Sequence, residues 1–347
     1  MRSELARRCA RMVMVGLPGA SPDPEALALV DAGVFGAILF SRNITSPEQT
    51  AALCRSLKER ARRPFLLAVD QEGGRVARLK GAPFTSLPPM RALGEAKDPA
   101  RAERAGRLLA HELRAVGFDW DFAPVLDVDT NPKNPVIGDR AFGSDPREVA
   151  TLGVALARGL EAGSVASCAK HFPGHGDTHQ DSHLHLPRLS HELARLRAVE
   201  LVPFFAYAEA KLAAVMTAHV VFDAVDPGVP ATMSSKVLNG ILRQELGFGG
   251  VLVSDDLEMK AIADHYSVEE AAVEGALAGV DLFLVCHRAD RQRAVIEALV
   301  KAVEAGRLPR ARVEEANARL DVLAQRFFHP PEDRLHTLGT KEHLALA

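Results

Sequence analysis

One short segment of the sequence concentrates side chains that can do chemistry. Residues 170–187, "KHFPGHGDTHQDSHLHLP", contain five of the thirteen histidines in the chain. An imidazole can bind a metal ion or transfer a proton near neutral pH. The histidine-rich segment is therefore a metal site, an acid/base device or a surface loop without a chemical role.

The metal interpretation rests on a helical spacing. Four histidines recur at intervals of four residues, which would place them on one face of a helix: His171, His175, His179 and His183. Proline and glycine are unfavourable inside a helix, and the segment contains Pro173, Gly174 and Gly176. The HExxH pattern of zinc hydrolases is also absent. A loop could still gather metal ligands, so we rank a metal site second and an inert loop third.

The acid/base interpretation ranks first and uses the "DSH" at residues 181–183. In an extended segment Asp181 and His183 point the same way. A carboxylate beside an imidazole orients the ring and favours its charged form, which suits the histidine to donate and recover a proton. Asp255, in "GVLVSDDL", is a candidate nucleophile. A carboxylate nucleophile together with a proton donor is what a retaining glycosidase requires.

The elements that must position these residues alternate between short apolar runs and longer amphipathic segments. The runs are continuously apolar, as expected for parallel strands that are buried on both faces. They occupy residues 11–17, 36–40, 65–70, 118–128, 165–172, 213–220, 250–257 and 280–286. Between them, Ser46-Pro47 and Asp145-Pro146 are helix-start signals, and Gly163 is a helix-stop signal.

Eight runs, each followed by a helical segment, predict a single (β/α)8 barrel, the TIM-barrel form of the α/β class. Two doubly wound domains are the alternative, but no Pro/Gly/Ser-rich linker divides the chain and no G-x-G-x-x-G follows the first strand. We therefore expect a catalytic barrel over residues 1–328 and a C-terminal tail over residues 329–347.

Polar residues follow five neighbouring predicted strands, where the active sites of such barrels lie. A helix cap or a turn explains any single polar strand end, but it explains five neighbouring ones poorly. They are Asp70 after strand three, Asp127 and Asp129 after strand four, Lys170 and His171 after strand five, His219 after strand six, and Ser254, Asp255 and Asp256 after strand seven. We expect the active site on this part of the barrel rim.

Composition and charge exclude several classes of partner. The 347 residues are 47% hydrophobic and 25% charged, with a formal net charge of −3 and no basic stripe, so we expect neither nucleic acid nor an anionic membrane as a partner. No apolar stretch approaches the roughly 18 residues of a membrane span, and the apolar run at residues 12–17 is too short for a signal peptide. The four cysteines form no CxxC pair. These features predict a cytoplasmic protein without disulfides.

Four motifs together resemble one enzyme family. "KHFPGHGDTHQDSHLHLP", "VDQEGGRVARL", "NPVIGDRAFG" and "GVLVSDDLEM" are similar to motifs of the bacterial β-N-acetylglucosaminidases of glycoside hydrolase family 3. The resemblance extends from about residue 12 to residue 290, with the motifs in the order expected along one barrel. The KHFPGHG-x-x-x-x-DSH pattern is highly specific, whereas the SDD element alone is a weak signal.

The resemblance implies a role for individual residues. Asp255 matches the nucleophile that forms a covalent glycosyl-enzyme intermediate, His183 matches the general acid/base, and Asp181 matches the carboxylate paired with it. Asp256 resembles a neighbour that hydrogen-bonds within the loop. Five residues match those that hold the terminal N-acetylglucosamine: Asp70, Arg78, Arg140, Lys170 and His171.

The resemblance also implies a substrate. It predicts an exo-acting β-N-acetylhexosaminidase (EC 3.2.1.52) that releases N-acetylglucosamine from cell-wall fragments, chiefly GlcNAc-anhydroMurNAc peptides, during peptidoglycan recycling. We expect a monomer that acts on this carbohydrate without a cofactor or a bound metal. The glycines of the 173–185 loop, and its lack of an apolar anchor, further predict that the loop closes after the sugar binds.

The sequence leaves four other functions open. In a glycoside phosphorylase of the same family phosphate would attack the intermediate, and a histidine acid/base repels that anion less than a carboxylate does; no dedicated phosphate site is evident. A β-glucosidase would differ by a pocket that does not accept the acetamido group. A metal-dependent hydrolase built on the histidine loop and a non-catalytic sugar-binding barrel belong to other classes of protein.

Overall fold

The computed structural model describes residues 2–179, 181–182 and 185–345. The strands in these ranges are β1 Val13–Gly16, β2 Gly36–Leu39, β3 Leu66–Val69, β4 Trp120–Asp121, β5 Cys168–Phe172, β6 Arg188–Leu189, β7 Ala214–Thr217, β8 Val221–Phe222, β9 Val251–Asp256 and β10 Leu282–Val285. The α-helices are α1 Arg2–Ala10, α2 Pro24–Ala32, α3 Pro47–Ala61, α4 Met90–Ala96, α5 Pro99–Ala115, α6 Pro146–Ala162, α7 Leu193–Ala198, α8 Leu201–Glu209, α9 Lys260–Ala263, α10 Val268–Ala278, α11 Ala289–Glu304, α12 Arg310–Phe327 and α13 Lys341–Leu344. Short 3-10 turns lie at Ser41–Asn43, Gly138–Arg140, Ala231–Met233 and Leu335–Thr337, and Lys236–Glu245 forms a π-helix.

Eight of the strands form one parallel sheet in the order β4-β3-β2-β1-β10-β9-β7-β5. The two outer strands, β4 and β5, meet through the parallel bridges Trp120–Ala166 and Val125–Lys170, which close the sheet into a ring. Helices separate consecutive barrel strands along most of the chain. The predicted (β/α)8 barrel is confirmed.

The barrel strands are continuously apolar because both of their faces are buried. In β1, Met14 packs into the barrel interior with residues such as Leu66 and Val253, whereas Val13 and Val15 pack towards the surrounding helices. The interior cluster also includes Phe327 at the end of α12. The helix-start signals are confirmed as well, because Ser46 caps α3 and Asp145 caps α6 with side-chain oxygens.

The fourth barrel strand is shorter than the apolar run at 118–128 predicts. Only Trp120–Asp121 is regular strand, and Pro124, which has no amide hydrogen to donate to a sheet, follows it. The chain still accompanies its neighbour, since Leu126 donates a 2.7 Å hydrogen bond from its backbone amide to the carbonyl of Lys170. Asp127 and Asp129 therefore lie in the connection after β4 rather than at the end of the strand itself.

Two further elements lie outside the barrel. Strands β6 and β8, which the sequence did not predict, form a small parallel pair. The segment after α12 carries α13, where Nε2 of the buried His343 donates a 2.8 Å hydrogen bond to Oε1 of Glu112 on α5. The tail is thereby fastened to the outside of the barrel.

Two further observations concern the cysteine thiols and the apolar character of the helices. All four cysteines, Cys9, Cys54, Cys168 and Cys286, are buried and carry free thiols. In the described ranges no helix combines the length and the apolar character needed to cross a lipid bilayer.

Candidate active site

A cavity of about 410 Å³ opens at the carboxyl ends of the barrel strands. Seven of the eight predicted site residues line it: Asp70, Arg78, Arg140, Lys170, His171, Asp181 and Asp255. The eighth, His183, lies outside the described residues. The fold thus gathers these seven residues from β5, β9 and the connections that follow β3, β4 and β5, while their individual roles stay predictions.

One wall of this cavity, here called the charged wall, is formed by Asp70, Glu72, Arg78, Arg140 and Lys170. Glu72 lies at its centre. Its carboxylate accepts two hydrogen bonds of 2.8 Å from the Arg140 guanidinium and forms a 2.7 Å ion pair with Nζ of Lys170. Burial alone would raise the pKa of Glu72, but the charges of Arg140 and Lys170 outweigh burial and hold that pKa well below its usual range. Glu72 is therefore ionised at neutral pH and fixes both cations.

Lys170 links Glu72 to the part of the wall that is open to a ligand. Its Nζ also lies 2.8 Å from Oδ1 of Asp70, and Oδ2 of Asp70 lies 3.5 Å from Nη2 of Arg78. Burial would lower the pKa of Lys170, but the charges of Asp70 and Glu72 raise it above its usual range. The side chains of Arg78 and Asp70 are 23% and 16% exposed, so both can still contact a ligand.

The turn after Asp70 explains how these groups reach one wall. Asp70 and Glu72 are two residues apart in an extended segment and so point the same way. Gly73 then turns the chain with φ near 101°, and a Cβ there would lie only 2.5 Å from the carbonyl oxygen of Pro88. Finally, Oε1 of Gln71 accepts a 2.7 Å hydrogen bond from the backbone amide of Arg78, which folds Arg78 back beside Asp70.

His171 is held by a buried carboxylate. Its Nδ1 lies 2.7 Å from Oδ2 of Asp127, and the backbone amides of His171 and His175 donate to Oδ1 of the same carboxylate. Burial would raise the pKa of Asp127, but the His171 charge and hydrogen bond outweigh it and lower that pKa. An ionised Asp127 favours a proton on Nδ1 of His171 and fixes the orientation of the ring.

His175 organises the base of the histidine loop. Its Nδ1 contacts the hydroxyl of Thr178 at 2.8 Å, and its Nε2 contacts the hydroxyl of Ser182 at 2.9 Å. Burial lowers the pKa of His175 to about 4, so the ring is neutral at physiological pH. Because Ser182 follows Asp181 directly, this hydrogen bond ties residues 181–182 to His175.

The loop base is anchored by polar groups rather than apolar ones. Nδ2 of Asn134 donates hydrogen bonds to the carbonyls of His175 and Gly176 at 2.8 and 3.0 Å. Gly176 packs against the backbone so closely that a Cβ would lie 1.8 Å from the carbonyl oxygen of Val128. In residues 173–179 the chain forms turns rather than a helix, as Pro173 and the glycines predict. Closure of the 173–185 loop after sugar binding stays a prediction.

Asp255 is the penultimate residue of β9 and lines the cavity. Its Oδ1 accepts a 2.8 Å hydrogen bond from the backbone amide of Asp256. Asp256 has the local role expected of it, because its Oδ1 accepts from the backbone amides of Glu258 at 3.1 Å and Cys286 at 3.2 Å. Both adjacent carboxylates line the cavity, but Asp256 also accepts hydrogen bonds from two backbone amides of its surroundings, whereas Asp255 is the candidate nucleophile.

Glu72, Asp127 and His175 were not predicted as site residues, although they hold those that were. The two-residue spacing of Asp70 and Glu72 was a usable signal, since it puts both carboxylates on one side of the chain. Asp127 was noted only as a polar group after strand four. No sequence pattern indicates that Asp127 pairs with His171, which lies 44 residues away.

The structure also bears on the histidines as metal ligands. Among the described residues, no group of three or more His, Cys, Asp or Glu side chains is arranged to hold a metal ion. His219, the polar residue after the sixth barrel strand, is buried between the Thr232 hydroxyl at 2.8 Å and the Asp256 carbonyl at 3.0 Å. Burial lowers the pKa of His219, so this ring is a neutral packing element.

A second, larger groove of about 670 Å³ lies at the opposite end of the barrel. It runs beside the start of β9 and the end of α12, and its walls include Leu246, Phe248 and Val322. None of the predicted site residues lines it. The chemistry of the molecule is concentrated in the smaller cavity.

A (β/α)8 barrel with carboxylates and cations around a cavity at its strand ends has the architecture of a glycoside hydrolase. The chain belongs to glycosyl hydrolase family 3, because the model of the family's N-terminal domain matches residues 5–323. A relative from Thiobacillus denitrificans, named beta-hexosaminidase, is 45% identical over 271 residues, which are 76% of this chain and 75% of the relative. The predicted family and enzyme class, a family 3 glycoside hydrolase of the β-hexosaminidase type, are confirmed.

Two solved structures extend the comparison. A family 3 β-N-acetylglucosaminidase from Paenibacillus sp. matches with a TM-score of 0.93 and 43% identity, covering 99% of this chain and 67% of that longer one. NagZ from Neisseria gonorrhoeae, solved with N-trifluoroacetyl-D-glucosamine, matches with a TM-score of 0.81 and 36% identity, covering 96% of this chain and 95% of NagZ.

Proposed function

We propose that the enzyme is a retaining exo-β-N-acetylglucosaminidase with Asp255 as nucleophile, His183 as general acid/base and Asp181 as the carboxylate that orients His183. The observation that carries the proposal is that Asp255 and Asp181 line one cavity with the five predicted sugar-binding residues. The N-acetylglucosamine analogue in the gonococcal relative supports the choice of sugar.

In this proposal the charged wall binds the terminal sugar through its hydroxyls and N-acetyl group. The sugar is uncharged, so recognition depends on directional hydrogen bonds, which are strongest when one partner is charged. Asp70 and Arg78 offer partly exposed charged groups, and Arg140, Lys170 and His171 complete the set. Glu72 and Asp127 keep these groups in place before the sugar arrives, which limits the reorganisation needed during the reaction.

The first chemical step forms the glycosyl-enzyme. An oxygen of the Asp255 carboxylate attacks C1 of the sugar as the bond between C1 and the glycosidic oxygen breaks. The protonated imidazole of His183 gives its proton to the departing oxygen, so the leaving group departs as an alcohol. Asp181 favours the charged imidazole that this step needs.

The second step hydrolyses the glycosyl-enzyme. The now neutral His183 removes a proton from a water molecule while the water oxygen attacks C1. The bond between C1 and Asp255 breaks, which restores the carboxylate and releases N-acetylglucosamine with the β configuration retained. The proton that His183 gave away in the first step is thus recovered in the second.

We infer further that the substrates are peptidoglycan fragments, chiefly GlcNAc-anhydroMurNAc peptides, and that the enzyme acts in cytoplasmic cell-wall recycling as a monomer. Residues 1–328 would form the catalytic unit and residues 329–347 a tail that packs against it. Family membership and the position of the cavity support this proposal. Its first requirement is that the enzyme hydrolyses a β-N-acetylglucosaminide.

The first test is hydrolysis of p-nitrophenyl β-N-acetylglucosaminide by EDTA-treated enzyme in phosphate-free buffer. We expect full turnover, because the proposed mechanism needs neither a metal nor phosphate. Activity that returns only with zinc would instead support a metal-dependent hydrolase. Activity that returns only with phosphate would support a phosphorylase, and equal turnover of the glucoside would support a β-glucosidase.

The second test removes the nucleophile. Asp255→Asn should lower kcat by at least about 10⁴-fold, because an amide cannot form the glycosyl-enzyme. The surface variant Glu103→Gln serves as the control and should keep wild-type turnover. NMR of the first product formed should show the β anomer, as retention requires. An α anomer, or an Asp255→Asn variant within tenfold of wild type, would contradict the mechanism.

A further inference from the structure

The wall of the cavity that lies opposite the charged wall contains two aromatic rings, those of Phe40 and His287. It comes from the ends of β2, β9 and β10 and presents Phe40, Asp256 and His287 to the cavity. Neither Phe40 nor His287 was predicted from the sequence to have a function, and the proposed mechanism does not use them. The charged wall is assigned to the terminal sugar, so this second wall is where the rest of a substrate has room to bind.

His287 is both exposed and fixed. Its side chain is 53% exposed, yet its Nε2 lies 3.2 Å from Oδ2 of Asp256. The ring stacks on Phe40 with a centroid distance of 5.9 Å and an angle of 25° between the planes. Its backbone amide donates a 2.6 Å hydrogen bond to Oε2 of Glu258. Contacts with Asp256, Phe40 and Glu258 thus hold His287 in one position although half of its side chain is exposed.

Phe40, on which His287 stacks, is in turn held by Arg42. The Arg42 guanidinium lies 4.5 Å from the centroid of the Phe40 ring. Arg42 also donates hydrogen bonds to the carbonyls of Leu17 at 2.8 Å and Cys286 at 2.6 Å. The stack of Arg42, Phe40 and His287 therefore joins the segments that follow β1, β2 and β10.

The stack also carries positive charge. The hydrogen bond to Asp256 outweighs partial burial and raises the pKa of His287, and the Asp256 carboxylate balances the charge of that ring. Arg42, a permanent cation that donates to backbone carbonyls, supplies the remaining positive charge. A flat ring offers an apolar face to the C–H groups of a sugar, and a cation beside it attracts a carboxylate. The two properties together suit a sugar that carries an acidic substituent.

We propose that His287, supported by Phe40 and Arg42, is the platform of a subsite for the leaving-group sugar and favours a leaving group that carries a carboxylate, either on the sugar itself or on a substituent attached to it. The inference rests on the proposed function, because it presumes that the terminal sugar occupies the charged wall. It adds a specificity-determining residue on the side of the scissile bond that the sugar-binding residues do not reach.

The test compares three substrates in wild type, His287→Ala and His287→Phe. β-N-Acetylglucosaminyl azide has a three-atom leaving group that cannot reach the platform. N,N'-Diacetylchitobiose adds a neutral sugar, and GlcNAc-MurNAc adds one that bears a carboxylate. His265→Ala serves as the matched control, because His265 is an exposed histidine that does not line the cavity.

The measured quantity is kcat/KM for each disaccharide divided by kcat/KM for the azide. In His287→Ala this ratio should fall about tenfold for both disaccharides, the effect of losing one aromatic contact. In His287→Phe it should recover for diacetylchitobiose but stay at least threefold below wild type for GlcNAc-MurNAc, because the ring is back and the charge is not. His265→Ala should leave both ratios at wild-type values.

Three outcomes would overturn the subsite. They are ratios within twofold of wild type in His287→Ala, an equal loss for the azide and the disaccharides, and a His287→Phe variant no better than His287→Ala on diacetylchitobiose. Failure of the proposed function would look different, because wild-type enzyme would then leave the azide intact.

Discussion

The substitution Glu72→Gln tests whether the charged wall is built as the structure indicates. Glu72 is 1% exposed and receives two hydrogen bonds from Arg140 and an ion pair from Lys170. Glutamine has nearly the same shape, so the substitution removes a charge without leaving a cavity. It leaves the buried Arg140 without a carboxylate partner and Lys170 with Asp70 alone, and it turns one acceptor oxygen into an NH2 group that faces the two cations.

The expected loss of stability follows from these contacts. Removing one partner of a buried ion pair costs about 3–5 kcal/mol, because the remaining charge stays buried without compensation. For a chain of this length, with an unfolding entropy of about 2.1 cal/mol/K per residue, this corresponds to a decrease in Tm of roughly 4–7 °C. The matched control is Glu103→Gln, which breaks an exposed pair with Arg107 on α5. That substitution should cost about 0.3–0.5 kcal/mol, or less than 1 °C.

The assay is thermal unfolding of the three proteins, repeated from pH 7 down to pH 4. The folded-state pKa of Glu72 is depressed, so its contribution is fully present above the unfolded value near 4.5 and is lost as the pH falls towards the folded value. The difference in Tm between wild type and Glu72→Gln should therefore stay constant down to about pH 5.5 and shrink below about pH 4.5. If Glu72→Gln melts within 1 °C of Glu103→Gln at pH 7, the assignment of Glu72 as the centre of the wall is refuted.

Two further predictions concern the neighbourhood of the wall and the loop. Burial raises the pKa of Asp121 well above its usual range, which favours the neutral carboxyl. Asp121→Asn should therefore keep Tm within about 1 °C, whereas Asp121→Leu should lose about 1–3 kcal/mol because the Gln71 amide loses its acceptor. Thermal melts of both variants decide this, and an Asp121→Asn protein as unstable as Asp121→Leu would contradict it. Ser182→Ala removes the hydrogen bond to His175 and should lower kcat about tenfold while KM stays within twofold, because the acid/base loop is less well placed and the sugar wall is intact. Steady-state kinetics would refute this role of Ser182 if KM rose and kcat did not change.

The barrel could be predicted from the sequence because its physical cause is local. Each strand is an unbroken apolar run, since helices cover one face and the barrel interior covers the other. Helix starts such as Ser46-Pro47 and Asp145-Pro146 are also local, because a side-chain oxygen caps an amide two or three residues later. The same reasoning failed at β4, where the apolar run continues through Pro124 but the regular ladder does not.

The contacts within the site could not be predicted in the same way. Polar strand ends indicate which residues meet at the rim, but not which side chains pair across it. Glu72 reaches partners 68 and 98 residues away, and His287 stacks on a ring 247 residues earlier in the chain. His287 follows β10 just as Asp70 follows β3, so strand-end reasoning would have found it had it been extended to the eighth strand. The motif placed the "DSH" element near the active site, whereas the hydrogen bonds that anchor its loop come from Asn134 in another connection.

The distribution of charge across the cavity indicates that Glu72 has a second role besides stabilising the fold. The transition state of glycoside hydrolysis develops positive charge at the sugar ring. Arg140 and Lys170 alone would oppose that charge, although their N–H groups suit the hydroxyls of a sugar. Glu72 and Asp70 together balance these two charges and leave N–H donors in place, so the cations oppose the field of the proposed nucleophile, Asp255, less strongly at C1. On this reasoning Glu72→Gln should lower kcat more than it raises KM, even at temperatures where the variant is fully folded.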